Sequence, residues 1–224
     1  MAVERNSVVV EEYLQVIYAL TGSEGPVKAI QLATRLASSP STVHATLSRM
    51  QRDGLVEVGP KKEVLLTSKG QTKAESLVYR HQLVESFLCD RLGIPWHEVH
   101  HHAHILEHGL TPLVVERLAE FLGFPGFCPH GTPMPGSGTN LPASTLALSA
   151  LEEGRDFQVV VIREVLEDQQ ELMEFLERHH LQPGERLKFL EKIKATDSML
   201  LEYQGTSFSL PLGVADKIGI LPLA

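Results

Sequence analysis

The chain has 224 residues, 43% hydrophobic and 21% charged, an ordinary globular composition with room for one large domain or two or three small ones. It contains no run of eighteen apolar residues, so no membrane span is expected, and the acid-bearing start MAVERNSVVVEEYL is no secretory signal, which points to the cytoplasm. The formal net charge of −8 argues against a generic nucleic-acid binder, but eight Lys or Arg face three acids between Lys28 and Lys73, a local +5 that leaves −13 for the rest.

VVVEEYLQVIYAL, residues 8–20, has the apolar period of a helix, closed by the break at Gly22–Pro26. KAIQLATRL follows as a short amphipathic helix at 28–36, with Ile30, Leu32, Ala33 and Leu36 inward. The serine-rich break SSPS is suited to capping a second helix, TVHATLSRMQR at 42–52, with Val43, Leu47 and Met50 as its buried stripe. LVEVG and EVLLT flank a Gly-Pro-Lys-Lys turn and predict a hairpin with a basic tip.

Helix, tight serine turn, helix and hairpin is the order of a winged helix-turn-helix, whose second helix would enter the major groove of double-stranded DNA. Ser39, Ser41, Thr42, Ala45 and Thr46, with His44 nearby, would meet base edges, and Arg35, Arg49, Arg52, Lys61 and Lys62 suit phosphates.

A long helix is expected over 69–92, then a break at Gly93-Ile94-Pro95. WHEVHHHAHILEHGL comes next, with six of the chain's 11 histidines, and starts a helix that runs to about Gly109. On a helical wheel His100, His104, Glu107 and His108 share an arc of about 100°. His102 points away, while His97 and His101 lie near one edge of that arc. Imidazole plus carboxylate on one face, without thiolate, suits first-row divalent ions. A second pair at i, i+4, His81 and Glu85, lies on the preceding long helix. Cys89 and Cys128 have no CxxC partner, which argues against a thiolate zinc knuckle.

The same letters hold a rival reading. His97-Glu98-Val99-His100-His101 matches H-E-x-x-H, which would make a zinc metallopeptidase with His97 and His101 as ligands, Glu98 as base and Glu116 or Glu120 as third ligand. A weaker alternative is a metal-buffering protein.

PLVVERLAEFLG forms a further helix at 112–122, and the five prolines and four glycines of 124–142 make a linker or ordered loop. Beyond it FQVVVIREV, RLKFLEKI, SMLLEYQ and SFSLP are expected strands, with one helix at 171–179: a small β-barrel carrying a helix.

EEYLQVIYAL, STVHATLSRMQRDGLVEV, LTSKG, LVYRH, LEHGLT and CPHGTPMP together resemble the family of the diphtheria toxin repressor and the manganese transport regulator, over essentially the whole chain. The resemblance implies an α+β protein in three parts: a winged helix-turn-helix over 1–73, an all-α metal-binding and dimerisation domain with its linker over 74–142, and an SH3-like, FeoA-like small β-barrel over 143–224. It implies a homodimeric, metal-activated repressor of metal-uptake genes on a palindromic operator, with no membrane partner. The family's primary metal site maps onto Glu12, His104, Glu107 and His108, and its second onto His81, Glu85 and His100. Asp168 and Glu171 match loosely the ligands that longer members add. Iron-responsive members carry Met and Cys where this chain has Glu12 and His104, and short manganese-responsive members carry a further Glu where it has Gln15. Loss of sulfur ligands favours Mn²⁺, and a histidine at 104 draws the preference toward Fe²⁺, with Zn²⁺ and Co²⁺ as in vitro substitutes.

Overall fold

The structure is a computed structural model that describes residues 8–223, so the first seven residues of the N-terminal reading lie outside it. The chain falls into two compact units, 1–80 and 81–224, and the boundary lies inside a helix.

The first unit begins with α1 (Val8–Glu24), β1 (Val27–Lys28), α2 (Ala29–Arg35) and α3 (Pro40–Arg52). Tyr13, Leu14 and Ile17 of α1 are fully covered and pack with Leu32, Val43, Leu47 and Met50. The entry to α3 is set by Ser39, whose hydroxyl accepts from Thr42 N–H at 3.2 Å, with Pro40 in the first turn where no N–H is needed. β2 (Val56–Val58) and β3 (Glu63–Leu66) form the expected hairpin, with β1 on the far side of β3, so the sheet order is β1-β3-β2. One expectation fails here: Ile30 is 64% exposed, since α2 turns Leu32 and Ala33 into the core and leaves its first turn outside.

α4 (Ser68–Leu92) crosses the boundary. In the second unit its C-terminal half packs Val84 and Leu88 against Val99 and Ala103 of α5 (Val99–Glu107), and α6 (Pro112–Leu122) follows, capped by the Thr111 hydroxyl and closed by left-handed Gly123. The histidine helix starts three residues later than Trp96, since residues 96–98 form a turn after Pro95. The 124–142 segment is an ordered loop with one bridge, Phe127 to Pro133.

The remaining strands are β4 (Leu146–Ala147), β5 (Asp156–Ile162), β6 (Arg186–Ile193), β7 (Ser198–Tyr203), β8 (Thr206–Pro211) and β9 (Ile218–Pro222), in the order β4-β9-β5-β6-β7-β8. Short helices α7 (Glu164–Glu167) and α8 (Gln170–Arg178) lie between β5 and β6, and α9 (Leu212–Ala215) precedes β9. The expected strand through Val165 therefore ends at Ile162, and Glu164 begins a helical turn instead. The core of this sheet is completed from outside it: Trp96 is buried with Phe157, Phe189, Leu201 and Ile220, which joins the helical segment to the sheet.

Candidate metal centre and nucleic-acid face

Within the second unit, α4, α5, α7 and the 128–131 loop bring a dense set of donors together. His81 Nε2 lies 3.0 Å from Glu85 Oε1 and 3.0 Å from His100 Nδ1. His100 Nδ1 is in turn 3.1 Å from Glu85 Oε1 and 3.0 Å from Glu167 Oε2. On its other side His100 donates Nε2–H to Asp168 Oδ1 at 3.1 Å, which leaves Nδ1 facing the cluster. Asp168 thus fixes the orientation of the His100 ring, and Glu167, which the sequence reading did not single out, is the acid that meets its other nitrogen. Glu171 is exposed on α8 and belongs to none of the donor groups brought together among the described residues.

His130 and Cys128 had not been expected here. The His130 Nε2–H donates to the carbonyl of Trp96 at 3.3 Å, so Nδ1 faces Glu167 Oε2 at 3.3 Å and Glu85 Oε1 at 3.5 Å. Cys128 joins Glu85 and His130 in a fully buried group of possible ligands. The CPHG letters were legible in the sequence, but a search for thiolate pairs passes over one cysteine that is completed by a distant glutamate. Gly131 presses the loop onto β5: a Cβ there would sit 2.0 Å from the Val160 carbonyl oxygen, and its φ of +83° is left-handed.

The second cluster adjoins the first through His81, whose Nδ1 lies 3.1 Å from Glu107 Oε2. Glu107 is fully buried, and its other oxygen is 3.4 Å from His104 Nδ1 and 3.5 Å from His108 Nε2. His81, His104 and Glu107 form one possible ligand group, which joins two residues of the helical-wheel arc to His81 of α4. Glu12 lies on α1, in the first unit.

Burial would strip His81 of its proton, but Glu85 and the hydrogen bonds to Glu107 and Glu85 outweigh it and raise its pKa to about 10. Burial also opposes the Glu85 charge, yet His81 and His130 hold its carboxyl well below the usual range. Against the same burial, Asp168, Glu167 and Glu85 raise His100, and Glu167 and Glu85 raise His130. Glu164, one turn before Glu167, is pushed up to about 7 by burial and by Glu167. Burial, then Glu85 and Glu167, keep Cys128 a thiol. In the metal-free protein, the buried carboxylates thus favour the protonated form of all three imidazoles. The fit to a cation is visible in two buried atoms that make no well-directed hydrogen bond, Glu85 Oε2 and His130 Nδ1.

In the first unit, Ser39, Ser41, Thr42, His44 and Ala45 are exposed along the start of α3, and Arg52, Lys61 and Lys62 are exposed as well. Arg35 and Arg49 are half-buried. Thr46 is buried, so it packs into the core rather than facing a groove. Ser48, which was not anticipated, is exposed one turn after His44.

Three family profiles match the chain in succession: the iron-dependent repressor N-terminal DNA-binding domain over residues 7–64, the iron-dependent repressor metal-binding and dimerisation domain over 67–136, and the FeoA domain over 146–222. The iron-dependent repressor IdeR of Mycobacterium leprae is 37% identical over 177 residues, covering 75% of this chain and 76% of that protein. The chain belongs to the iron-dependent repressor family. The diphtheria toxin repressor of Corynebacterium efficiens is 32% identical over 81% of the chain and 83% of its own length, while IdeR of Mycobacterium bovis, 42% identical, is matched over 55% of its length. A manganese-dependent transcriptional repressor in complex with manganese superposes with a TM-score of 0.83 at 29% identity, over 96% of this chain and all of that one. ScaR with bound Cd²⁺ gives 0.80 at 30% identity, over 94% and 98%. Iron-dependent repressors are DNA-binding transcription regulators and not enzymes, which overturns the peptidase reading. The geometry agrees, since His97 precedes α5 while His101 is exposed within it.

Proposed function

We propose that the chain is a metal-activated, dimeric repressor that binds a palindromic operator and answers to Mn²⁺ first and Fe²⁺ next. The observation that carries this is His81, whose two ring nitrogens face Glu107 on one side and Glu85 on the other, so that two donor clusters share one imidazole. His104, Glu107 and His108 would hold one ion together with Glu12. His81, Glu85, His100 and Glu167 would hold a second, with His130 and Cys128 as further donors and Asp168 orienting His100. A divalent cation supplies positive charge that neutralises these carboxylates once their imidazole partners have lost their protons.

Glu12 is carried by the helix that packs beside α3, and the other ligands of its site by α5. A ligand set drawn from both would fix the recognition helix relative to the dimerisation helices. Metal would then shift the population toward the spacing that two half-sites, about 34 Å apart or a multiple of it, demand. Ser41, Thr42, His44 and Ala45 would read bases, while Arg52, Lys61 and Lys62 would hold phosphates. The second copy of the chain is argued from α6, which buries only Ala119 and leaves Leu113, Val114 and Phe121 in solvent.

Manganese is favoured by the acid at Glu12 and the absence of sulfur in its site, and relatives known as manganese regulators support it. The test is binding of metal-free protein to DNA upstream of manganese- and iron-uptake genes, titrated with Mn²⁺, Fe²⁺ and Zn²⁺. The expected result is metal-dependent binding that a His104→Ala/His108→Ala variant loses. Metal uptake without DNA binding under any ion overturns the reading.

A further inference from the structure

The outer face of α3 lacks, near its start, the side chains best suited to telling bases apart. Val43, Thr46, Leu47 and Met50 are buried, which leaves Ser41, Thr42, His44, Ala45 and Ser48 exposed, with Gln51 and Arg52 at the far end. A recognition helix meets base edges with its N-terminal residues, and Gln51 lies about 9 Å further along the axis than Ala45. Arg, Lys, Asn and Gln, which pair with guanine or adenine through two hydrogen bonds, are thus missing where the bases would be met. The hydroxyls there are tied to the protein. Ser39 Oγ accepts from the Thr42 N–H at 3.2 Å and lies 2.8 Å from Ser41 Oγ and 2.9 Å from Thr42 Oγ1. The Ser48 hydroxyl donates to the His44 carbonyl at 2.8 Å. What bonding capacity these hydroxyls retain serves donor and acceptor alike, so it discriminates poorly. Two groups remain: the His44 imidazole, exposed and without a side-chain partner among the described residues, and the bare methyl of Ala45 beside it.

We infer that Ala45 and His44 set the operator sequence: each half-site carries a thymine whose C5-methyl packs against the Ala45 methyl, and beside it a guanine whose edge accepts from the His44 ring N–H. The inference rests on the repressor reading. Thymine alone shows a methyl group in the major groove, and guanine alone shows two acceptors, N7 and O6, on its own edge there. Ser41, Ala45 and Ser48, spaced i, i+4 and i+7, are all small, so the helix can approach the bases to the distance of about 4 Å that a methyl contact needs. Phosphate contacts from Arg52, Lys61 and Lys62 would supply affinity without sequence information, so His44 and Ala45 decide which duplex is chosen more than how tightly DNA is held.

The experiment first lets the Mn²⁺-loaded full-length chain select duplexes from a random-sequence pool. Each thymine of the selected half-site is then replaced by uracil, which lacks only the methyl, and each guanine by 7-deazaguanine, which lacks only the N7 acceptor. The wild type should lose about fourfold in affinity per half-site at one thymine, the worth of a buried methyl. It should lose about two- to tenfold at one neighbouring guanine, the worth of one hydrogen bond. Ala45→Gly should no longer distinguish thymine from uracil, nor His44→Ala guanine from its deaza analogue. Each comparison sets two duplexes against one protein, so a weakened helix cancels. Ala45→Gln, which keeps the helix, should select adenine where the wild type selects thymine. A selected sequence whose uracil and deaza forms bind the wild type equally well at every position overturns this inference and leaves the repressor reading standing. Selection of no sequence under Mn²⁺, Fe²⁺ or Zn²⁺ overturns both.

Discussion

His81 shows how much chemistry one side chain can concentrate. Its pKa is about 10 in the metal-free fold against about 6.5 in an unfolded chain, because Glu85 and Glu107 outweigh the cost of burial. The folded-state value is raised, so the proton stabilises the metal-free fold fully below pH 6.5, and this contribution is lost as pH rises from there to about 10. Metal binding runs the other way, since each imidazole must lose its proton to become a ligand. Thermal midpoints of metal-free protein should therefore fall between pH 6.5 and 10, while Mn²⁺ affinity should rise by up to about tenfold per pH unit for each proton displaced. Calorimetry in two buffers of different ionisation enthalpy would measure the released protons, and a pH-independent affinity would count against His81 as a ligand. Parts of this centre were legible as residue types: His81, Glu85, His100, His104, Glu107 and His108 follow from spacing or resemblance. Glu167 and His130 did not, because each lies far along the chain from the donors it meets.

Among the elements, the 128–131 loop is the most demanding. It carries Cys128 and His130 to the centre only because Gly131 lets the backbone touch β5, with Ile162 N–H bonded to the His130 carbonyl at 2.9 Å. Gly131→Ala should cost about 1–3 kcal/mol from overcrowding alone and should withdraw His130 from Glu85 and Glu167. A lowered thermal midpoint together with weaker binding of the second ion would show both effects, and an unchanged midpoint would contradict the close approach. Helix periodicity was read well where caps were strong: Ser39-Pro40, Thr111-Pro112 and Gly123 bound α3 and α6. It misled at Ile30, whose apolar side chain fits the period yet lies outside, while the strand expectation ran on through Arg163 and Glu164 to Val165, past the strand's true end at Ile162.

At the scale of the molecule, α6 is an apolar helix without a core of its own. Leu113, Val114, Phe121 and, after it, Phe124 are exposed, between 46% and 67%. If the proposed dimer closes over this face, Leu113→Glu/Phe121→Glu should give a folded monomer with greatly weakened operator binding. Sedimentation and DNA titration read the two effects, and a dimer that survives both charges would move the seam elsewhere. Composition, charge segregation and the run of motifs from EEYLQ to CPHG determined by themselves the class of protein, the winged module, the histidine helix and the family. These are local signals, set by side-chain period, capping chemistry and short spacings. Tertiary structure alone decided that Trp96 completes the core of the C-terminal sheet, that Glu167 rather than Glu171 joins the cluster, and that His130 and Cys128 reach Glu85. Those pairings span tens of residues, and no spacing rule reaches that far. They arise only when burial forces distant polar groups to satisfy one another.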